Sequence, residues 1–194
     1  MRKILKKFFP VIAVSFIFLP EAQSQDFPKY EFHGGYSYTA MGGRNWFGWQ
    51  VSASRNFNHY VGISFNFFAL DSSKTEFLFY QVFKTDKRRY YFLAGPKFAD
   101  RSWKKWIPYA HFLIGASKTT TSYQYDLDEQ TRITGVDKDN TFAMMIGGGF
   151  NYRINGQLLI HMVQGNFIRN LVNNEWDVWE DGGMVSFGLE YSWK

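Results

Sequence analysis

Four histidines, His33, His59, His111 and His161, are the side chains of this 194-residue sequence that ordinarily titrate closest to neutral pH. A hydrolase would need one of them as a base, next to a hydroxyl nucleophile and an orienting group. Cysteine is absent, which removes thiol catalysis, thiolate metal sites, disulfides and a lipidated N-terminal cysteine. His111 and Ser117 share a parity, but six residues of strand separate them by roughly 20 Å, too far for a dyad. His59 falls in a short turn. Asp126, Asp128, Glu129, Asp137 and Asp139 crowd one stretch, yet its "DKDN" lacks the glycine and closing glutamate of a calcium loop. No catalytic residue, cofactor site or metal site is assigned, and the reading is non-enzymatic.

A set of polar and charged residues follows another pattern. Glu31, His33, Lys97, His111, Asn151, Arg153 and Glu190 stand on the polar parity of segments that alternate with period two. The end of the chain, "GGMVSFGLEYSWK", is the clearest case. Val185, Phe187, Leu189, Tyr191 and Trp193 alternate there with Ser186, Gly188, Glu190 and Ser192. Similar alternation begins at Tyr30, Phe47, Val61 and Phe142, with less regular strands in "YYFLAGPKFAD", "PYAHFLIGASK" and "QLLIHMVQGNFI". That makes eight, an even number, as a closed antiparallel barrel with both termini at one end requires.

Connector lengths support the same architecture. Residues 55–59, 100–106 and 154–156 make short turns, whereas residues 39–45, 71–89, 119–140 and 170–181 make longer, polar connections. The prediction is an all-β, eight-stranded, antiparallel up-and-down transmembrane β-barrel with short periplasmic turns and longer extracellular loops. Residues 75–83 are themselves strand-like and are assigned to an outward extension of the third strand or to a folded loop, since a ninth strand would split the termini.

Aromatic residues make up 21% of the chain while mean hydropathy is slightly negative, a pairing natural to strands that are apolar on one face only. Trp46, Trp49, Trp103, Trp106, Trp176, Trp179 and Trp193 all fall near predicted strand ends, and are expected as interfacial anchors at headgroup level. Inside so narrow a barrel, charges must pair. Glu31 and Glu190 are expected to neutralise Lys97 and Arg153, with His33 and His111 alongside as lumen residues.

Residues 1–24 read as a signal peptide, with basic Arg2, Lys3, Lys6 and Lys7 ahead of a short apolar run that is interrupted by Pro10. Cleavage is expected before Gln25, leaving residues 25–194 as the barrel domain. The formal charge falls from +5 to about +2 on that cleavage. A nucleic-acid partner loses its main support, because no dense basic stripe remains.

The segments "FLAGPKF", "IPYAHFLIGAS" and "FAMMIGGGFNYRIN", in this order, resemble the outer membrane protein beta-barrel domain family of small bacterial eight-stranded barrels. The resemblance implies a Gram-negative-type outer membrane, contact with its lipids and lipopolysaccharide, and insertion by the barrel-assembly machinery. It also implies a structural, adhesive or weakly porin-like role and carries over no catalytic residue. Two departures stand out. Trp193 is followed by Lys194 where such barrels usually end on an aromatic, and His161 stands where relatives often carry a basic residue. The function expected is structural or a loop-mediated interaction with an extracellular ligand; the alternatives are a narrow small-solute channel or a lipid-modifying barrel enzyme.

Overall fold

Period-two alternation over this many consecutive segments has one stable outcome in lipid, a sheet closed on itself with no free edge at membrane depth. The computed structural model describes residues 27–78, 81–103, 105–128, 131–172 and 175–193. The assigned leader, residues 1–24, lies outside these, as does Lys194. Eight strands follow in order: β1 (Tyr30–Met41), β2 (Arg44–Asn56), β3 (Val61–Leu78), β4 (Gln81–Ala99), β5 (Trp106–Asp128), β6 (Thr131–Arg153), β7 (Leu158–Val172) and β8 (Glu175–Trp193). Each pairs antiparallel with the next, and β1 pairs with β8 to close the barrel.

The wall sorts side chains as the alternation requires. On β8, Val185, Phe187, Leu189, Tyr191 and Trp193 point outward and exposed, while Ser186, Glu190 and Ser192 are buried inside. The outer surface carries a belt of Phe32, Tyr36, Val51, Phe65, Phe92, Phe112, Ile146, Phe150 and Phe167. Neighbouring rings in it touch across strands, as in Trp49–Phe67 at 5.3 Å and Phe67–Phe92 at 4.8 Å between centroids. In water such a surface would be an aggregation site; in a bilayer it is the lipid-facing side.

One irregularity resets the parity. β7 carries an extra residue relative to β6 and β8, so that Met162 and Val163 both face outward while His161 and Gln164 both face inward. This β-bulge places two polar side chains three residues apart on the same inner surface.

The connectors differ at the two ends of the barrel. At the end where the chain terminates, the turns are short, as expected. At the other end, the stretches 71–89, 119–140 and 170–181, read from sequence as loops, are largely strand. Residues 75–83 continue β3 as far as Leu78 and enter β4 from Gln81, which keeps the count at eight. The β1–β2 turn is tight, with Gly42 and Gly43 at φ 58° and 66°, the left-handed pair a two-residue hairpin needs.

The extended strands form a sheet that outruns the barrel. β3–β4 pairing continues to Leu78↔Gln81, β4–β5 to Val82↔Asp126 and β5–β6 to Asp128↔Thr131. By contrast, β2–β3 pairing stops at Phe47↔Asp71 and β6–β7 at Ala143↔Asn170. β3 to β6 therefore project beyond the rim as a four-stranded sheet, with residues 72–78 and 131–142 as its lateral edges.

Candidate functional site

The inner face of the barrel is divided along its axis into a polar tier, an apolar plug and a charged mouth. The polar tier lies at the terminus end. There Lys97 Nζ donates to Glu31 Oε2 at 2.8 Å and to Glu190 Oε2 at 3.4 Å. Arg101, from the β4–β5 turn, folds back into the barrel with a side chain only 1% exposed. Its Nε reaches Glu31 Oε1 at 2.8 Å and its Nη2 reaches Asn56 Oδ1 at 2.5 Å. Asn151 Nδ2 donates to Glu190 Oε1 at 2.9 Å. Two carboxylates thus face two cations in a buried, neutral quartet, the arrangement that makes buried charge tolerable.

The histidines stack above it. His33 and His161 have ring centroids 4.2 Å apart, and His161 Nε2 lies 2.7 Å from both Tyr109 Oη and Gln164 Oε1. The bulge in β7 makes that last contact possible. His111 Nε2 lies 2.9 Å from Asn166 Oδ1, which also accepts from Gln164 Nε2. His59 sits in the β2–β3 turn, its ring tilted against Phe27 with centroids 5.1 Å apart. All four histidines are therefore in the terminus half of the molecule, away from the projecting sheet.

Above the polar tier the lumen is apolar, against the expectation of a polar interior. Phe68 and Tyr91 stack at 4.4 Å, and Leu70, Leu93, Leu113, Met145, Ile168 and Met184 fill the space around them. Trp46 belongs to this plug. It is 1% exposed and its Nε1 donates to the Met41 carbonyl at 3.2 Å. The expectation that Trp46 anchors in the headgroups is corrected. Trp46 and Trp49 are three residues apart, and a regular strand sends an odd spacing to opposite faces.

Over the plug, the Arg89 guanidinium lies above the Trp46 ring, 5.0 Å from its centroid, and pairs with Glu180 Oε2 at 2.6 Å. Arg89 Nε also donates to Thr119 Oγ1 at 2.8 Å, and Asn170 Nδ2 donates to Tyr91 Oη at 3.0 Å. These contacts close the plug on the hairpin side. Arg44 and Lys87 stand on the inward parity one step further out, two residues beyond Trp46 and Arg89 respectively.

Of the lumen residues named from sequence, Glu31, Lys97 and Glu190 meet directly, and His33 and His111 line the tier above them. Arg153 does not take the place expected for it. It is half-buried at the end of β6, and the second cation on Glu31 is Arg101. Sequence offered no signal for Arg101, because a charged residue in a short turn ordinarily stays in water. Of the expected anchors, Trp49, Trp106 and Trp193 face outward and exposed, and Trp103 is exposed in the β4–β5 turn. Trp176 and Trp179 fall in β8, with side chains outside the described residues. Among the described residues no group of histidines and carboxylates has the geometry to hold a metal ion.

The sequence matches no protein-family model and no curated protein. Solved structures do match in fold. Ail, the attachment invasion locus protein of Yersinia pestis, aligns at 14% identity over 86% of this chain and 99% of its own, with a TM-score of 0.55. The same protein in complex with the heparin analogue sucrose octasulfate aligns at 15% identity, covering 84% and 96% of the two chains, with a TM-score of 0.54. The outer membrane protease OmpT from Escherichia coli aligns at 10% identity over 88% of this chain and 99% of its own, with a TM-score of 0.54. With a closed eight-stranded antiparallel wall and an apolar outer belt, this chain has the fold of the small bacterial outer-membrane β-barrels.

Proposed function

We propose that this protein is a non-conducting, non-enzymatic outer-membrane barrel that holds its four-stranded sheet outside the cell as a surface for an extracellular ligand. The observation that carries this reading is that β3 to β6 continue well past the rim as paired strand. From Ala143 to Thr131 alone, β6 adds twelve residues, roughly 40 Å of strand. Loops borne on a rigid scaffold are where binding usually resides, and a sheet with free edges is stiffer still. Ail, a protein of the same fold, has been captured with a heparin analogue, which supports a ligand-binding role for such a barrel.

The interior argues in the same direction. The Glu31–Lys97–Glu190–Arg101 quartet occupies one end of the lumen and the Phe68–Tyr91 plug the other, which favours a closed barrel over a channel. The fold also occurs in a protease, but a hydrolytic site needs a base at the exposed rim, and the histidines here lie in the opposite half. Residues 1–24 would direct export and be removed, after which the barrel-assembly machinery would insert residues 25–194. The outer belt would then meet membrane lipids, with lipopolysaccharide around the hairpin end.

The test is a trimmed barrel in which residues 122–136 are replaced by a two-residue Asn-Gly turn. The expected result is a heat-modifiable, correctly folded barrel whose cells no longer adhere to immobilised glycans and matrix proteins bound by the parent. Undiminished adhesion by the trimmed barrel, or steady single-channel conductance of the parent in planar bilayers, would overturn the reading.

A further inference from the structure

The mouth of the barrel carries more positive charge than its neighbours neutralise. Arg89 is committed to Glu180, with which it forms an ion pair at 2.6 Å. Lys74 is paired with Glu76. Arg44 and Lys87 remain, with no ion-pair partner among the described residues. One terminal nitrogen of Arg44, Nη1, is buried and without a hydrogen-bond partner there. A guanidinium presents five donors in a fixed fork, and leaving one unsatisfied in a buried place is costly unless something else accepts it.

Lys87 stands in a setting that suits the same guest. Its register partners are Ser72 on β3 and Thr121 on β5, so a hydroxyl-bearing residue stands beside it on each neighbouring strand. Arg44 and Arg89 press on it electrostatically and Glu180 offsets them in part, while Glu76 lies within electrostatic reach of Arg44. Burial first, and then Arg44, holds the Lys87 ammonium below the usual lysine range. The floor beneath is the Trp46 ring with the Arg89 guanidinium 5.0 Å from its centroid, and Arg44 and Lys87 are themselves strand residues of β2 and β4.

We propose that Arg44 and Lys87, with Ser72 and Thr121 beside them, form a site for a sulfate or phosphate monoester carried on a sugar. A tetrahedral oxyanion offers enough oxygens to accept from the guanidinium fork, the ammonium and the hydroxyls together. The site rests on the reading that the hairpin end faces the extracellular side. Two sources present this chemistry there: a sulfated glycan on a surface being bound, or the phosphorylated sugar of surrounding lipopolysaccharide.

The experiment is a calorimetric titration of the refolded full-length mature barrel in zwitterionic micelles at physiological salt. The probes are inorganic sulfate, inorganic phosphate, a sulfated heparin disaccharide and a delipidated phosphorylated core oligosaccharide. Saturable binding of a sugar-borne ester is expected, weakened at least about tenfold by Arg44→Gln and again by Lys87→Met. Lys138→Gln, which removes an exposed cation from the outer face of β6, should leave it unchanged. Preference for the sulfated disaccharide assigns an exogenous glycan, and preference for the core oligosaccharide assigns the cell's own lipid sugar. No saturable binding, or equal loss from Lys138→Gln and Arg44→Gln, would overturn the site. The trimmed barrel keeps Arg44, Ser72, Lys87 and Thr121, so it can lose adhesion while still binding the ester, or bind nothing while adhesion survives. Failure of the site and failure of the adhesive reading therefore register separately.

Discussion

The two tiers of the lumen are lined by the same barrel wall, yet solve opposite problems. In the polar tier, Glu31, Glu190, Lys97 and Arg101 are buried charges, and each is acceptable only because the others are present. In the plug, Phe68, Leu70, Leu113 and Met145 need no partner of defined chemistry, only a complementary shape. Losing one member should therefore hurt the polar tier through the charges left behind and the plug through the space left behind. An eight-stranded barrel is narrow enough that either filling closes it.

That contrast can be broken most severely at Glu31, which bonds both cations of the quartet. Glu31→Ala should cost about 4 kcal/mol, read as a lowered urea midpoint for unfolding in lipid vesicles. Adding Lys97→Met to that variant should restore part of the loss, a rescue no deletion in the plug can show. Leu113→Ala, at the centre of the plug, should cost about 3 kcal/mol in the same assay. A cost near zero would mean that the plug collapses freely and is not close-packed. Tyr91→Phe keeps the ring stacked on Phe68 and removes the hydroxyl's bonds with Asn170 and Met41 Sδ, so about 1 kcal/mol is expected.

The smallest effect concerns the mouth, where pH sharpens the comparison with the quartet below. Lys87 faces Arg44, Arg89 and Glu180, and its pKa is depressed from the ordinary 10.5 by burial and then by Arg44. Between the depressed value and the unfolded one, the unfolded chain holds more protons, so stability rises slightly with pH across that window. Oxyanion binding has the opposite trend, because it needs the ammonium. Affinity should fall as pH rises through the depressed pKa, while the arginines stay charged. Lys87→Met should remove this alkaline dependence, which calorimetry at stepped pH would detect.

Much of this architecture is legible in residue order. Strand β8 announces both of its faces, and the even count of alternating segments with short turns at one end dictates closure. Glu31, Lys97 and Glu190 can be placed in the lumen from parity alone. The spacing of Trp46 and Trp49 already carried the information that one of them must turn inward. The 119–140 stretch also alternates, with Thr119, Thr121 and Tyr123 on one parity. It resembles a loop because both faces are polar, as they must be in a sheet with water on each side.

What the sequence by itself determined, then, was the period-two division of inside from outside, because strand geometry makes that a property of each residue and its immediate neighbours. Tertiary structure decided what shares a tier. Lys97 meets Glu31 across 66 positions and Glu190 across 93, Arg101 meets Glu31 across 70, and Arg89 meets Glu180 across 91. The bulge at Met162 and Val163, the inward swing of Arg101 and the burial of Trp46 against Arg89 all depend on the opposing wall. A local alternation has no term for that wall; it comes into being only when β8 closes on β1.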